Sequence, residues 1–240
     1  MQQIKNTSDI KQLGTILSVW AHPDDESFSC AGIMAAAVKN GQKVICITAN
    51  RGELGVQDEK RWPANRLAQI REEEMDQALE ILGVKEHIWL DYTDGKCQNT
   101  PLLEGASRIV SAIKQHRPDA ILTFGPDGMT GHPDHQSVSR WVTEAVKGKE
   151  IKVYHTVEEK DRYNRFMVEA DKKFDIYFNI DKPPVFVESR CDIAYSLSPE
   201  ILFQKRLALK AMPSQTERMF KNTASDMMNA MLAQECFVLA

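Results

Sequence analysis

Short runs of β-branched and aromatic residues alternate, over the first two-thirds of the chain, with longer segments whose apolar residues fall at i, i+3 and i+4. The runs "TILSVWA" (15–21), "KVICITA" (43–49), "HIWLDY" (87–92), "AILTFG" (120–125) and "KVYHTV" (152–157) read as strands. Between them the helical spacing predicts helices near 27–40, 64–82, 102–116 and 134–147, the second marked by Leu67, Ile70, Met75, Ala78, Leu79 and Leu82. Gly41, Gly83 and Gly148 stand where helix C-caps belong, and Pro118 follows another helix end.

Repeated strand-helix units joined by right-handed crossovers give an α/β fold, a Rossmann-like doubly wound and mostly parallel sheet with helices on both faces. After about residue 157 the rhythm loosens. "KFDIYFNI" (173–180) and "VFVESRCDIA" (185–194) read as strands separated by the turn "DKPP", and 199–211 reads as a helix followed by "PSQ". The expectation is a single domain, 1–240, with a core over about 15–157 and a C-terminal β/α extension over about 158–240 at the rim of the sheet.

A length of 240 residues is ample for one large core and short for two full domains. With 30 Lys and Arg against 34 Asp and Glu, the formal charge of -4 gives no bias toward polyanions, so nucleic acid is not an expected partner. The opening "MQQIKNTSDIKQLG" lacks the pattern of a secretory signal, and no apolar run approaches the roughly 18 residues that span a bilayer. Five cysteines, Cys30, Cys46, Cys97, Cys191 and Cys236, show no C-x-x-C spacing and read as buried thiols. Together these features describe a soluble, cytoplasmic protein without a membrane span.

Candidate chemistry gathers at two places. Open α/β sheets bind ligands at the carboxyl ends of strands beside the point where strand order reverses. In the order 3-2-1-4-5, strands 1 and 4 flank that crevice. Strand 1 runs into "VWAHPDDESFSCAG" (19–32) and strand 4 into "GPDGMTGHPDHQS" (125–137), so two His-Pro-Asp runs face each other across it. His22 and Asp25 are spaced i, i+3, and so are His132 and His135. That makes four candidates for the three protein ligands of a catalytic metal, with an acid and a histidine left over for proton transfer and oxyanion stabilisation. Asp24, beside a candidate ligand, can accept the proton of a metal-activated water. Taken singly, "HPDD" fits a helix N-terminus capped by Asp24 or Asp25, and "GHPDH" fits a loop cap. Both together, after the two strands that flank the crevice, point to a metal site. His87, His116 and His155 are isolated and read as structural. The turn after strand 1 has no G-x-G-x-x-G, and no G-x-S-x-G elbow occurs, so nucleotide-binding and serine-hydrolase readings fall away.

"AHPDDE" (21–26) with "GHPDH" (131–135) resembles the signature pair of the PIG-L / LmbE-like metal-dependent deacetylases, which include the mycothiol- and bacillithiol-pathway enzymes. "TANRGELG" (48–55), "REEEMDQALEILGV" (71–84) and "LDYTDG" (90–95) extend the likeness in the right order, so that it covers about 15–150. "KRLALKAMPSQ" (205–215) resembles a later element of the family, with Met212 where many members have histidine. The resemblance implies zinc ligands His22, Asp25 and His135, and Asp24 as general base. It implies His132 as the group that stabilises the oxyanion and protonates the amine, with Asp134 orienting its ring. Arg71 matches a family arginine that holds substrate, against a surface i, i+3 pair with Glu74. Glu53 and Asp94 bind sugar hydroxyls or cap turns. The implied cofactor is Zn2+, with Fe2+ or another divalent ion open to a two-histidine, one-aspartate set.

The expected activity is hydrolysis of an N-acetyl group on an N-acetylglucosamine-like amino sugar or its conjugate, a small-molecule substrate. A metal-dependent amidase acting on a thiol conjugate or another amide would use the same constellation with a different pocket. A binding module that keeps the metal without catalysis is a third reading. The resemblance also leaves a homo-oligomer open.

Overall fold

The structure, a computed structural model, describes residues 3–240, so the first two positions of the expected 1–240 domain lie outside the described residues. Three strands, β1 (Ile16–Trp20), β2 (Val44–Thr48) and β4 (Ala120–Phe124), are buried at every position, as expected of runs covered on both faces. With β3 (Glu86–Trp89) and β5 (Lys152–Glu159) they form a parallel sheet, with Ile16 beside Val44 on one side and beside Ala120 on the other. The full order is β3-β2-β1-β4-β5-β8-β7, and the two-residue β6 (Val185–Phe186) pairs with β5 off this path. The order reverses between β1 and β4, so the loops leaving those two strands share one crevice.

Helices α3 (Ala64–Leu82) and α4 (Leu102–His116) match their expected spans. Gly83 ends α3 at φ 75, a left-handed conformation that glycine adopts freely. The helix expected over 27–40 is two, α1 (Asp25–Ser29) and α2 (Ala31–Lys39), broken at Cys30. A distant carboxylate explains the break: Glu235 accepts hydrogen bonds from the amides of Gly32 (2.7 Å) and Ile33 (2.8 Å), so a fresh helix start is satisfied there. The short α5 (Gly128–Gly131) precedes α6 (Pro133–Ala145), the helix expected over 134–147.

Beyond β5 the expectations hold less well. The strand expected over 173–180 is absent: α7 (Lys160–Arg162), a π-helical turn (Tyr163–Met167) and α8 (Val168–Phe174) lead into a turn at Asp175. Ile176 and Tyr177 turn inward to an apolar cluster and find no neighbouring strand. The run 185–194 divides into β6, a 3-10 turn over Glu188–Arg190, and β7 (Ile193–Ser196). α9 (Pro199–Lys210) lies where a helix is expected, and α10 (Pro213–Asn222) and α11 (Ser225–Leu232) follow. β8 (Gln234–Leu239), which no local pattern marks, runs antiparallel between β5 and β7. No helix among the described residues is long and apolar enough to cross a membrane.

Candidate active site

The turn after β1 is fixed from three directions. The Asp25 carboxylate accepts the His22 amide at 2.8 Å. Asp24 sits at φ 101, a strained conformation for a side-chain-bearing residue, and its amide donates to the Glu26 carboxylate at 3.1 Å. Arg71, from α3, donates to the carbonyls of Pro23 and Gly52 and lies 3.3 Å from the Asp24 carboxylate. A side chain at Gly52 would collide with that guanidinium.

The turn after β4 is built with equal care. His132 caps α6, its Nδ1 accepting the Asp134 amide at 3.1 Å, and Pro133 takes the first helical position. His135 stacks on Phe124 at 4.1 Å between ring centres. Its Nδ1 lies 2.9 Å from the Gly128 carbonyl, an acceptor only, so Nδ1 carries the proton and Nε2 presents a lone pair. On His22 it is Nε2 that faces Asp94 Oδ1 at 3.2 Å and Asp134 Oδ2 at 3.5 Å, while Nδ1 is turned toward His135.

His22 Nδ1 and His135 Nε2 point at each other. His22 Nδ1 is 3.1 Å from His135 Nε2, and the Asp25 carboxylate lies 3.6 Å from the first and 3.5 Å from the second. Two imidazole nitrogens and a carboxylate thus converge on one point, a mixed nitrogen and oxygen set of the kind that binds a divalent cation. Three ligands held at about 2.1 Å from a tetrahedral ion are about 3.4 Å apart. The donor set therefore fits a divalent metal ion.

Among the described residues two further, overlapping groups also lie close enough to hold an ion, His22 with His132 and His135, and His22 with Asp94 and Asp134. The second is already committed. Asp134, completely buried, accepts from Asn50 at 3.0 Å, the Gly95 amide at 2.8 Å and the Cys97 amide at 3.1 Å. Asp94 Oδ2 accepts the Leu54 amide at 2.9 Å. Both carboxylates suit holding the His22 ring better than ligating.

Charge follows from this packing. Burial pulls the His22 imidazole down, but Asp134, Asp94 and Asp25 outweigh it and push the ring up to about 10. Burial lowers His135 to about 4. Asp24 is pushed up to about 7 by burial, against the pull of Arg71.

The remaining expected residues find specific places. The Asp134 carboxylate does not orient the His132 ring; it is spent on Asn50, Gly95 and Cys97, and the backbone amide of Asp134 meets His132 instead. Arg71 is 4% exposed, and Glu74 accepts from the Ser214 amide and hydroxyl, so no surface i, i+3 pair forms between them. Glu53 accepts the Asp94 amide at 3.0 Å, a turn cap outside the cavity wall. Met212 is buried in the core, also off the wall. Asn50 and Glu26 are participants that spacing does not single out: Asn50 is uncharged, and Glu26 acts through a backbone amide. His22, Asp24, Asp25, Asp94, His132 and His135 all line one end of a cavity of about 480 Å3.

An open α/β sheet with a histidine and carboxylate cluster at its switch point defines a protein of the doubly wound class whose site could hold a metal ion. The family model described as "PIG-L: GlcNAc-PI de-N-acetylase" matches residues 17–146, more than half of the chain, and the chain belongs to that family. It is 30% identical over 172 residues to the 1D-myo-inositol 2-acetamido-2-deoxy-alpha-D-glucopyranoside deacetylase of Kineococcus radiotolerans, covering 60% of this chain and 48% of that one. It thus spans about half the length of that curated relative. A probable N-acetyl-alpha-D-glucosaminyl L-malate deacetylase 2 of Bacillus cereus is 28% identical over 219 residues, 89% of each chain. Among solved structures, the N,N'-diacetylchitobiose deacetylase of Pyrococcus horikoshii superposes with a TM-score of 0.63 at 21% identity, over 96% of this chain and 85% of that one.

Proposed function

We propose that the protein removes the N-acetyl group from an N-acetylglucosamine-like amino sugar or its conjugate. A divalent ion, Zn2+ in the first instance, is held by His22, Asp25 and His135. The observation that carries this reading is the meeting of His22 Nδ1 and His135 Nε2, 3.1 Å apart, with the Asp25 carboxylate, whose Oδ2 is 3.6 Å from the first and Oδ1 3.5 Å from the second, in a cavity also lined by Asp24 and His132. When bound, such an ion supplies Lewis acidity toward an amide carbonyl and a water. Asp24 takes the proton of the attacking water, its carboxylate steadied by Arg71 at 3.3 Å. His132, whose Nδ1 accepts the Asp134 amide, donates its Nε2 hydrogen to the developing oxyanion, and the proton that Asp24 took from the water passes to the departing amine. The two relatives described above are named for acetamido sugars whose aglycones differ, inositol in one and L-malate in the other, so the acetyl group is what they share. The proposed compartment is the cytoplasm, supported by five cysteines that are all buried free thiols.

The test is Asp24→Asn in zinc-loaded protein. Acetate release from N-acetylated amino sugars is expected to fall about 10²- to 10⁴-fold with the metal content unchanged. Full activity with retained metal would remove Asp24 from the role of base. No acetate from any N-acetylated sugar or conjugate by the unsubstituted protein would overturn the deacetylase reading itself.

A further inference from the structure

Beyond the metal end the same cavity continues into a chamber walled by Met129, Met167, Ile176, Phe178, Met231 and Leu232. The charged groups in that half are paired among themselves. Glu158 accepts the Tyr177 hydroxyl at 2.7 Å and the Arg162 guanidinium, whose Nη1 also donates to the Met231 carbonyl at 2.7 Å. Glu235 is held by Lys205 at 2.8 Å and by two amides of α2. Only Nε of Arg162 is left without a partner in this cluster. A polyol seated against the methionine and hydrocarbon wall would bury the hydroxyls facing it without partners, at a cost an alkyl or aryl group does not incur. A dicarboxylate would lie against Glu158 with the neighbouring cations already engaged. Methionine walls instead adapt to the shape of an apolar occupant. At the mouth, Leu54 and Phe178 are 69% and 54% exposed and carry the apolar surface outward.

We propose that the aglycone of the substrate is apolar, an alkyl or aryl group on the glycosidic oxygen, seated in this chamber while the acetamido group lies at the metal end. The inference rests on the deacetylase reading and sharpens it, since the methionine and hydrocarbon wall favours an apolar group over an inositol or a malate.

The experiment measures acetate release by zinc-loaded protein from N-acetylglucosamine and its methyl, butyl and octyl glycosides, beside an N-acylglucosamine series of matching chain lengths. In parallel, calorimetry measures binding of octyl glucoside, which has no amide. KM is expected to fall about fourfold per methylene from methyl to butyl with kcat little changed, and octyl glucoside is expected to bind. Met231→Gln should weaken that binding at least tenfold. Phe178→Ser, at an exposed position that tolerates change in the fold, should weaken it severalfold. A flat KM across the glycosides, tighter use of inositol or malate conjugates, or a gain confined to the N-acyl series would overturn the proposal. Octyl glucoside binding without acetate from any substrate would leave the chamber and overturn the deacetylase reading; turnover of every glycoside at one KM would do the reverse.

Discussion

Asp134 shows how much of the site rests on one side chain outside the proposed ligand set. Its carboxylate gathers a side-chain amide, two backbone amides and the edge of the His22 ring into a fully buried cluster. Asp134→Asn sets an amide donor against groups that are themselves donors, and about 2–4 kcal/mol of stability is expected to be lost, read as a shifted urea midpoint. Metal affinity should fall about 10- to 100-fold in the same variant, because the His22 ring loses its anchor. An unshifted midpoint with normal metal content would contradict this account. The histidines and acids around the cavity were legible in the sequence because their spacing at two strand ends is unusual for any other purpose. Their supports were not. The amides of Gly95 and Cys97 donate whatever side chain the residue carries, so no residue type announces them. Arg71 had one reading from the family likeness and one from its spacing to Glu74, and only its burial removes the second.

Among the elements, β8 and α9 clamp the first turn from behind. Lys205 on α9 donates to Glu235 on β8 and to the Phe28 carbonyl on α1, each at 2.8 Å, and the ion pair is out of contact with water. Lys205→Met leaves Glu235 charged and buried, and a loss of about 3–5 kcal/mol is expected in chemical denaturation. A loss below 1 kcal/mol would show that Glu235 is content with the two α2 amides alone. The core strands were legible because a doubly covered strand is an unbroken apolar run. The segment 173–180 misled for a related reason: its apolar residues alternate as a strand's do, yet they serve a cavity wall and a turn. β8 left no local trace, since its partners β5 and β7 are separated from it by turns and helices.

For the molecule as a whole, stability is tied to pH through buried imidazole. His87 on β3 is lowered to about 4 by burial, with Arg51 adding to the effect, and its Nε2 lies 2.9 Å from the Thr48 hydroxyl. An unfolded histidine takes up a proton near pH 6.5, whereas the folded one refuses it until about 4. The unfolded chain therefore binds more protons between those values, and stability drops as pH falls through that window, by about 2 kcal/mol from this residue. Urea midpoints at pH 7, 5.5 and 4.5 should converge for His87→Gln relative to the unsubstituted protein; parallel pH curves would refute the assignment.

The order of the sheet also sets a schedule. Both His-Pro-Asp segments, and everything the family model matches, are synthesised by residue 146, yet the carboxylate that starts α2 is encoded 203 positions after Gly32. At ordinary translation rates the interval from residue 146 to residue 239 is roughly 5–20 s. Throughout it β5 shows an unpaired edge and the methionine wall is incomplete. The nascent chain thus carries all of the proposed metal donors before it has a finished pocket, and that interval is when chaperones and stray strands compete for it.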